Sequence, residues 1–108
     1  MGNKFKGTMK TVKSISEVRD VYKKVISDPR HATANHNILV YRTEEEDGFC
    51  DDREFGAGKR LLKQLRDNDV KNVVLVVSRW YRGQGIGPKR FKILEQVVND
   101  AIHELKKK

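Results

Sequence analysis

Near the start of the chain, Phe5, Gly7, Met9 and Thr11 share one parity, and Lys4, Lys6, Thr8 and Lys10 share the other. A period of two predicts a half-buried strand with a lysine face, which suits a sheet edge. The period then changes. Val18, Val21, Tyr22, Val25 and Ile26 recur at three- and four-residue spacing, predicting an amphipathic helix that runs to about Ser27. Ser14-Ile15-Ser16-Glu17 fits a capping box at its start. Asp28-Pro29 ends it, because the residue before a proline avoids helical dihedrals.

Residues 31–37 read as a polar lead into a strand at 38–41. Residues 44–48 read as a turn, with Asp47-Gly48 as a hairpin signal, and 49–55 as a short partner strand. Residues 57–67 carry Leu61, Leu62 and Leu65 at helical spacing. The stretch 70–77 is almost all β-branched or apolar, which predicts a central strand covered on both faces or heavily on one. Residues 78–91 read as a glycine-rich turn, and Pro88 fits a first helical position. Phe91, Leu94, Val97, Val98, Ala101, Ile102 and Leu105 form the inward stripe of a final long helix.

The order β-α-β-β-α-β-α predicts an α+β fold: a mixed four-stranded sheet with helices mainly on one face. The 108 residues fit one domain covering the whole chain. Composition adds little to this, with 37% hydrophobic and 35% charged residues. No apolar run approaches the roughly 20 residues that cross a bilayer, and the first residues lack a signal-peptide core. The single Cys50 has no internal disulfide partner, so a cytoplasmic location is expected.

Charge changes the picture more. The net charge of +8 is unevenly spread. Residues 1–42 hold nine basic and three acidic side chains, 43–77 hold six and nine, and 78–108 hold eight and three. Such polarity attracts an anionic partner such as RNA, or simply solubilises the surface.

Three constellations are candidates for chemistry. The first is the segment 78–91, with Arg79, Trp80, Tyr81, Arg82, Lys89 and Arg90 around glycines 83, 85 and 87. Its cations suit phosphate or carboxylate, and its aromatic rings suit stacking or a protein anchor. The plainer reading makes Trp80 a core plug and the glycines mere turn residues. The glycine spacing departs from the dinucleotide fingerprint. The second is Gly56-Ala57-Gly58-Lys59, which lacks the other residues of a phosphate loop, since Arg53 and Arg60 stand at the required positions. The third is the polar cluster His36, Asp51 and Asp52, with His31 nearby, a candidate base with an orienting carboxylate. Its plainer reading places both aspartates at the next helix's N-terminus, stabilising it. The spacing matches no standard metal motif, and Cys50 beside two acids has a disfavoured thiolate. No metal, cofactor or catalytic residue is therefore expected.

Residues 31–37, Tyr41-Arg42, the run from Asp51 to Gly58, Val76 to Tyr81, and Gly87-Pro88 with Arg90-Phe91 together resemble the Impact (YigZ-like) family. The similarity covers residues 5–102. It implies a fold like the second domain of the fifth small-subunit ribosomal protein, with a ferredoxin-like arrangement as the alternative. It also implies a regulatory binding protein in translation control rather than an enzyme. Eukaryotic members of the family restrain the starvation-responsive kinase of initiation factor two alpha by competing for its ribosome-associated activator, and actin is a further associated partner. An RNA- or ribosome-binding domain and a cryptic hydrolase or transferase are the alternative functions. Two positions depart from the family pattern: Arg53 and Arg82 stand where glycines are usual. An arginine at a positive-φ position costs roughly 1 kcal/mol or more. The amino-terminal RWD domain of eukaryotic members and the second domain of bacterial ones are expected to be absent.

Overall fold

A computed structural model describes residues 3–81 and 87–107. The elements are β1 (Asn3–Thr11), α1 (Ile15–Ser27), α2 (Pro29–Ala32), β2 (His36–Arg42), β3 (Asp47–Cys50), α3 (Ala57–Asp67), β4 (Val73–Tyr81) and α4 (Lys89–Lys106). The expected α+β fold is present. Its single sheet has the order β1-β4-β2-β3. All three pairings are antiparallel, so the sheet expected as mixed holds no parallel pair among the described residues. With β1 at an edge and β4 between β1 and β2, the order departs from a ferredoxin-like arrangement, whose first strand lies inside the sheet.

The alternation along β4 explains the layers. Val73, Leu75 and Val77 face one side and join Ile38, Val40, Leu61, Leu65, Leu94, Val98 and Ile102 in the main core under α3 and α4. Val74 faces the other side and packs with Val12 and Val18 under α1. The helices thus cover both faces, α3 and α4 on the larger core and α1 on the smaller. Each fully buried Leu or Val contributes about 1.5–3 kcal/mol by leaving water.

Local signals set most boundaries. Ser14 Oγ accepts from Glu17 N–H at 3.2 Å, and Glu17 Oε1 reaches back to Lys13 N–H at 3.0 Å. Asp28 leaves the helical region at φ −68° and ψ 126°, then accepts from Arg30 N–H to start α2, an element absent from the sequence reading. The hairpin turns earlier than Asp47-Gly48, since Asp47 pairs with Arg42 and Gly48 with Tyr41. Thr43 closes the turn instead, its N–H bonding Glu46 O at 3.0 Å and its Oγ1 accepting from Glu45 and Glu46 N–H. Gly48 leaves room for Tyr41 across the pair: a Cβ there would meet the Tyr41 hydroxyl oxygen at 2.3 Å, so the ring would have to shift. The partner strand stops at Cys50, and Phe55, expected in it, is 76% exposed.

The difference with most consequence is at β4. Residues 78–81, read as the start of a turn, continue the strand through Tyr81. Their side chains therefore alternate between the two faces of the sheet.

Candidate functional site

Arg79 and Tyr81 lie on the α3/α4 face at the end of β4. Arg79 is the register partner of His36, so both project to the same side. Arg79 is only 3% exposed and Glu54 only 5%. Glu54 Oε1 accepts from Arg79 Nη1, and its Oε2 accepts from Arg90 Nε at 2.8 Å. One buried carboxylate thus joins the loop before α3, the end of β4 and the first turn of α4. Arg79 Nη2 also donates to Asn3 Oδ1 at 3.3 Å. The Arg79 guanidinium lies 4.8 Å from the Tyr81 ring centroid and 5.5 Å from that of Phe5. Tyr81 stacks on His36, with centroids 6.1 Å apart and planes 12° apart.

These groups line a hollow of about 260 Å³ with Arg53 and Gly87. Among the described residues three guanidinium groups and a single carboxylate line it, so the hollow has a surplus of positive charge. Buried Arg79 Nε–H has no partner among the described residues. An orphaned donor beside surplus cations suits an incoming carboxylate or phosphate oxygen.

Asp51 and Asp52 organise the loop rather than share a proton with His36. Asp51 Oδ1 accepts from Gly58 N–H at 2.7 Å and Oδ2 from Gly56 N–H at 3.1 Å, capping α3. Asp52 Oδ2 accepts from Asn37 N–H at 2.6 Å, while His36 Nδ1 donates to the Asp52 carbonyl at 2.8 Å. His36 therefore carries its proton on Nδ1 and has no orienting carboxylate. The plainer reading of the aspartates fits Asp51 at the start of α3 but not Asp52, which bonds the backbone of β2 instead, and the acid–base pairing has no geometric support. No group of three metal-ligating side chains occurs among the described residues. No helix there is long and apolar enough to cross a membrane.

The loop is strained at the position where the family has glycine. Asp52 and Arg53 have φ of 47° and 67°. Arg53, which departs from the family pattern, occupies a left-handed position and donates Nη2 to Asn35 O at 3.3 Å.

Trp80 belongs to the opposite face. It donates Nε1–H to Thr33 Oγ1 at 3.0 Å, lies 5.9 Å from the His31 ring and carries Lys4 Nζ at 5.2 Å. Beneath it, Ser78 Oγ donates to Asn37 Oδ1 at 2.6 Å and accepts from His31 Nδ1 at 2.9 Å. Burial, and secondarily Lys6, hold His31 below the usual imidazole pKa. The nine expected residues thus split. Arg79, Tyr81, Arg90 and His36 converge; Asp51 and Asp52 build the adjoining loop; Lys89 is exposed on the first turn of α4; Trp80 faces away. Arg82 lies outside the described residues.

Glu54 was missed as a site residue. Its signal was indirect, because two arginines drawn into a fold need a buried counter-charge. Asn35 was missed too. Its N–H bonds Arg79 O at 2.8 Å and its Oδ1 accepts from Tyr81 N–H at 2.8 Å, which extends the β2–β4 ladder to the site.

Fold and site define a small α+β sheet domain that gathers arginines around one buried glutamate at the end of its central strand. A family model described as the Impact N-terminal domain matches residues 1–102, and the chain belongs to that family. It is 38% identical over 106 residues to Protein IMPACT of Rattus norvegicus, covering 93% of this chain and 33% of the rat protein. It is 36% identical over 96 residues to a Protein IMPACT homolog of Schizosaccharomyces pombe, covering 84% of this chain and 34% of that protein. The chain thus spans about a third of the curated relatives it matches. Among solved structures, a hypothetical protein aligns with a TM-score of 0.83 at 25% identity, over 94% of this chain and 52% of that one. The two-domain translational regulator Yih1 aligns with a TM-score of 0.61 at 28% identity, over 95% of this chain and 42% of that one.

Proposed function

We propose that this chain is a regulatory protein-binding domain acting in translation control, and that it works in the cytoplasm. The observation that carries the reading is the hollow of His36, Arg53, Arg79, Tyr81 and Arg90 around Glu54. It offers stacked aromatic rings, surplus cations and a donor with no partner among the described residues, a combination suited to an acidic side chain of a protein partner. Family membership and the likeness to Yih1, described as a translational regulator, supply the setting. In that setting the partner is the ribosome-associated activator of the starvation-responsive initiation factor two alpha kinase, and competition for it restrains the kinase. The test is a competition pull-down of the activator's kinase-binding domain with this folded chain. Dose-dependent displacement of the kinase supports the reading, and displacement that fails despite a folded chain removes the partner.

A second reading, RNA or ribosome binding, is favoured by the opposite face. Lys4, Lys6, Arg30, His31, Thr33 and Trp80 line a hollow of about 450 Å³ there. Phosphate contacts make such binding fall steeply with salt. RNA binding with a flat salt dependence, or none at micromolar protein, removes it.

A further inference from the structure

The open edge of the sheet has its own chemistry. Edge strand β1 lies beside α4, and between them runs a groove of about 500 Å³. Its floor and walls include the half-buried Phe5, Met9, Val97, Ala101 and Leu105. One turn before Val97 on the same stripe, Ile93 is 38% exposed. Gly7 lets the helix approach the strand, since a Cβ there would meet Val97 Cγ1 at 2.9 Å.

Backbone geometry gives the edge a direction. Hydrogen bonds in an antiparallel ladder alternate along the strand. Val12 N–H bonds Asn72 O at 2.9 Å, and the register pairs Lys10 with Val74 and Lys6 with Ser78. Even-numbered residues of β1 therefore aim their N–H and C=O groups at β4. Phe5, Gly7 and Met9 aim theirs outward, along the same strand length as the groove.

Charge selects the occupant. Lys4, Lys6 and Lys10 are exposed and alternate with Phe5 and Met9, so their side chains leave β1 on the opposite face, although Lys6 and Lys10 also border the groove along the strand. Asp100 and Glu104, one turn apart on α4, form the groove's outer rim. A strand added to β1 alternates between these environments. Its residues beside the lysines favour carboxylates, because opposite charges across a strand pair attract. Its residues over the groove favour apolar side chains and are repelled by Asp100 and Glu104 if acidic. A second copy of this chain fits badly, because a two-fold β1 pair centred on Gly7 sets Lys4 against Lys10.

We propose that β1 is a docking edge for an extended segment of a partner protein that alternates acidic and apolar residues, added as a fifth strand beside α4. This surface is separate from the Arg79 hollow and does not depend on the partner bound there.

The experiment follows backbone amide exchange by NMR in the whole chain, with capped nine-residue peptides alternating Glu with Val or Lys with Val. The Glu peptide binds and slows exchange at Phe5, Gly7 and Met9 by about tenfold or more, as formation of new ladder bonds requires. The Lys peptide leaves these amides unchanged. The paired changes Lys6→Glu and Lys10→Glu, at exposed positions, reverse the preference. Absence of binding at millimolar peptide, equal response to both peptides, or binding that leaves the three amides unprotected overturns the proposal. A dimer that protects the same amides without peptide, or an oligouridylate that protects them in its place, assigns the edge to another occupant and also overturns it.

Discussion

Glu54 shows what a single side chain contributes here. It is the common acceptor for Arg79 and Arg90, so its loss leaves Arg79 buried without a counter-charge. Breaking a buried ion pair from one side costs about 3–5 kcal/mol. Glu54→Gln is expected at the lower end of that range in urea unfolding. Stability within about 0.5 kcal/mol of wild type, the range of ordinary surface substitutions, would show that the pair is not structural. Arg53 argues the opposite way. Its φ of 67° suits glycine, so Arg53→Gly is expected to raise stability by up to about 1 kcal/mol, less the entropy a glycine loses on folding. A clear loss would show that the Arg53 bond to Asn35 O outweighs the strain. The arginines at the hollow were legible in the sequence as one constellation; their partnership with Glu54 was not. Glu54 lies 25 residues from Arg79 and 36 from Arg90, and only the fold of three elements onto one another makes them neighbours.

At the scale of elements, periodicity was a good guide where one face is buried. The alternation in β1, the capping box of α1 and the leucine stripe of α3 all appear as expected. It failed where side chains replace hydrophobic pattern as the organiser. Thr43 closes a hairpin that Asp47-Gly48 seemed to mark, and Asp28 starts a four-residue helix with no periodicity to announce it. The strand β4 ran on because polar Ser78 and charged Arg79 are buried by pairing, which hydropathy alone does not reveal. The Ser78–His31–Asn37 network ties α2 to β4, and it supplies a pH dependence. His31 has a folded pKa below its unfolded value near 6.5. Its contribution is therefore fully present above about pH 6.5 and is lost as the pH falls through the folded value, at no more than about 1.4 kcal/mol per pH unit for one proton. His31→Asn, measured by urea unfolding between pH 7 and pH 5, is expected to lessen that loss. An unchanged slope would assign it to other groups.

Across the whole molecule, the sheet separates two basic surfaces that sequence reasoning had merged into one. Arg79 and Tyr81 belong to the hollow under α3 and α4, while Trp80 and Lys4 belong to the α2 side. One polarised charge distribution therefore serves two faces, and variants can address them separately. Arg53 and Lys89 are exposed at the arginine-rich end, so reversing them adds repulsion toward an acidic partner with little demand on the core. The most direct measurement is calorimetric titration of the kinase activator's binding domain with wild-type chain, with Arg53→Glu combined with Lys89→Glu, and with Lys4→Glu combined with Trp80→Ala. The account predicts binding by the wild type, a loss of about tenfold or more in affinity for the first pair, as rim charge reversals at a complementary interface produce, and near-normal affinity for the second. Binding that survives the first pair and fails with the second would place the partner on the other face and contradict it.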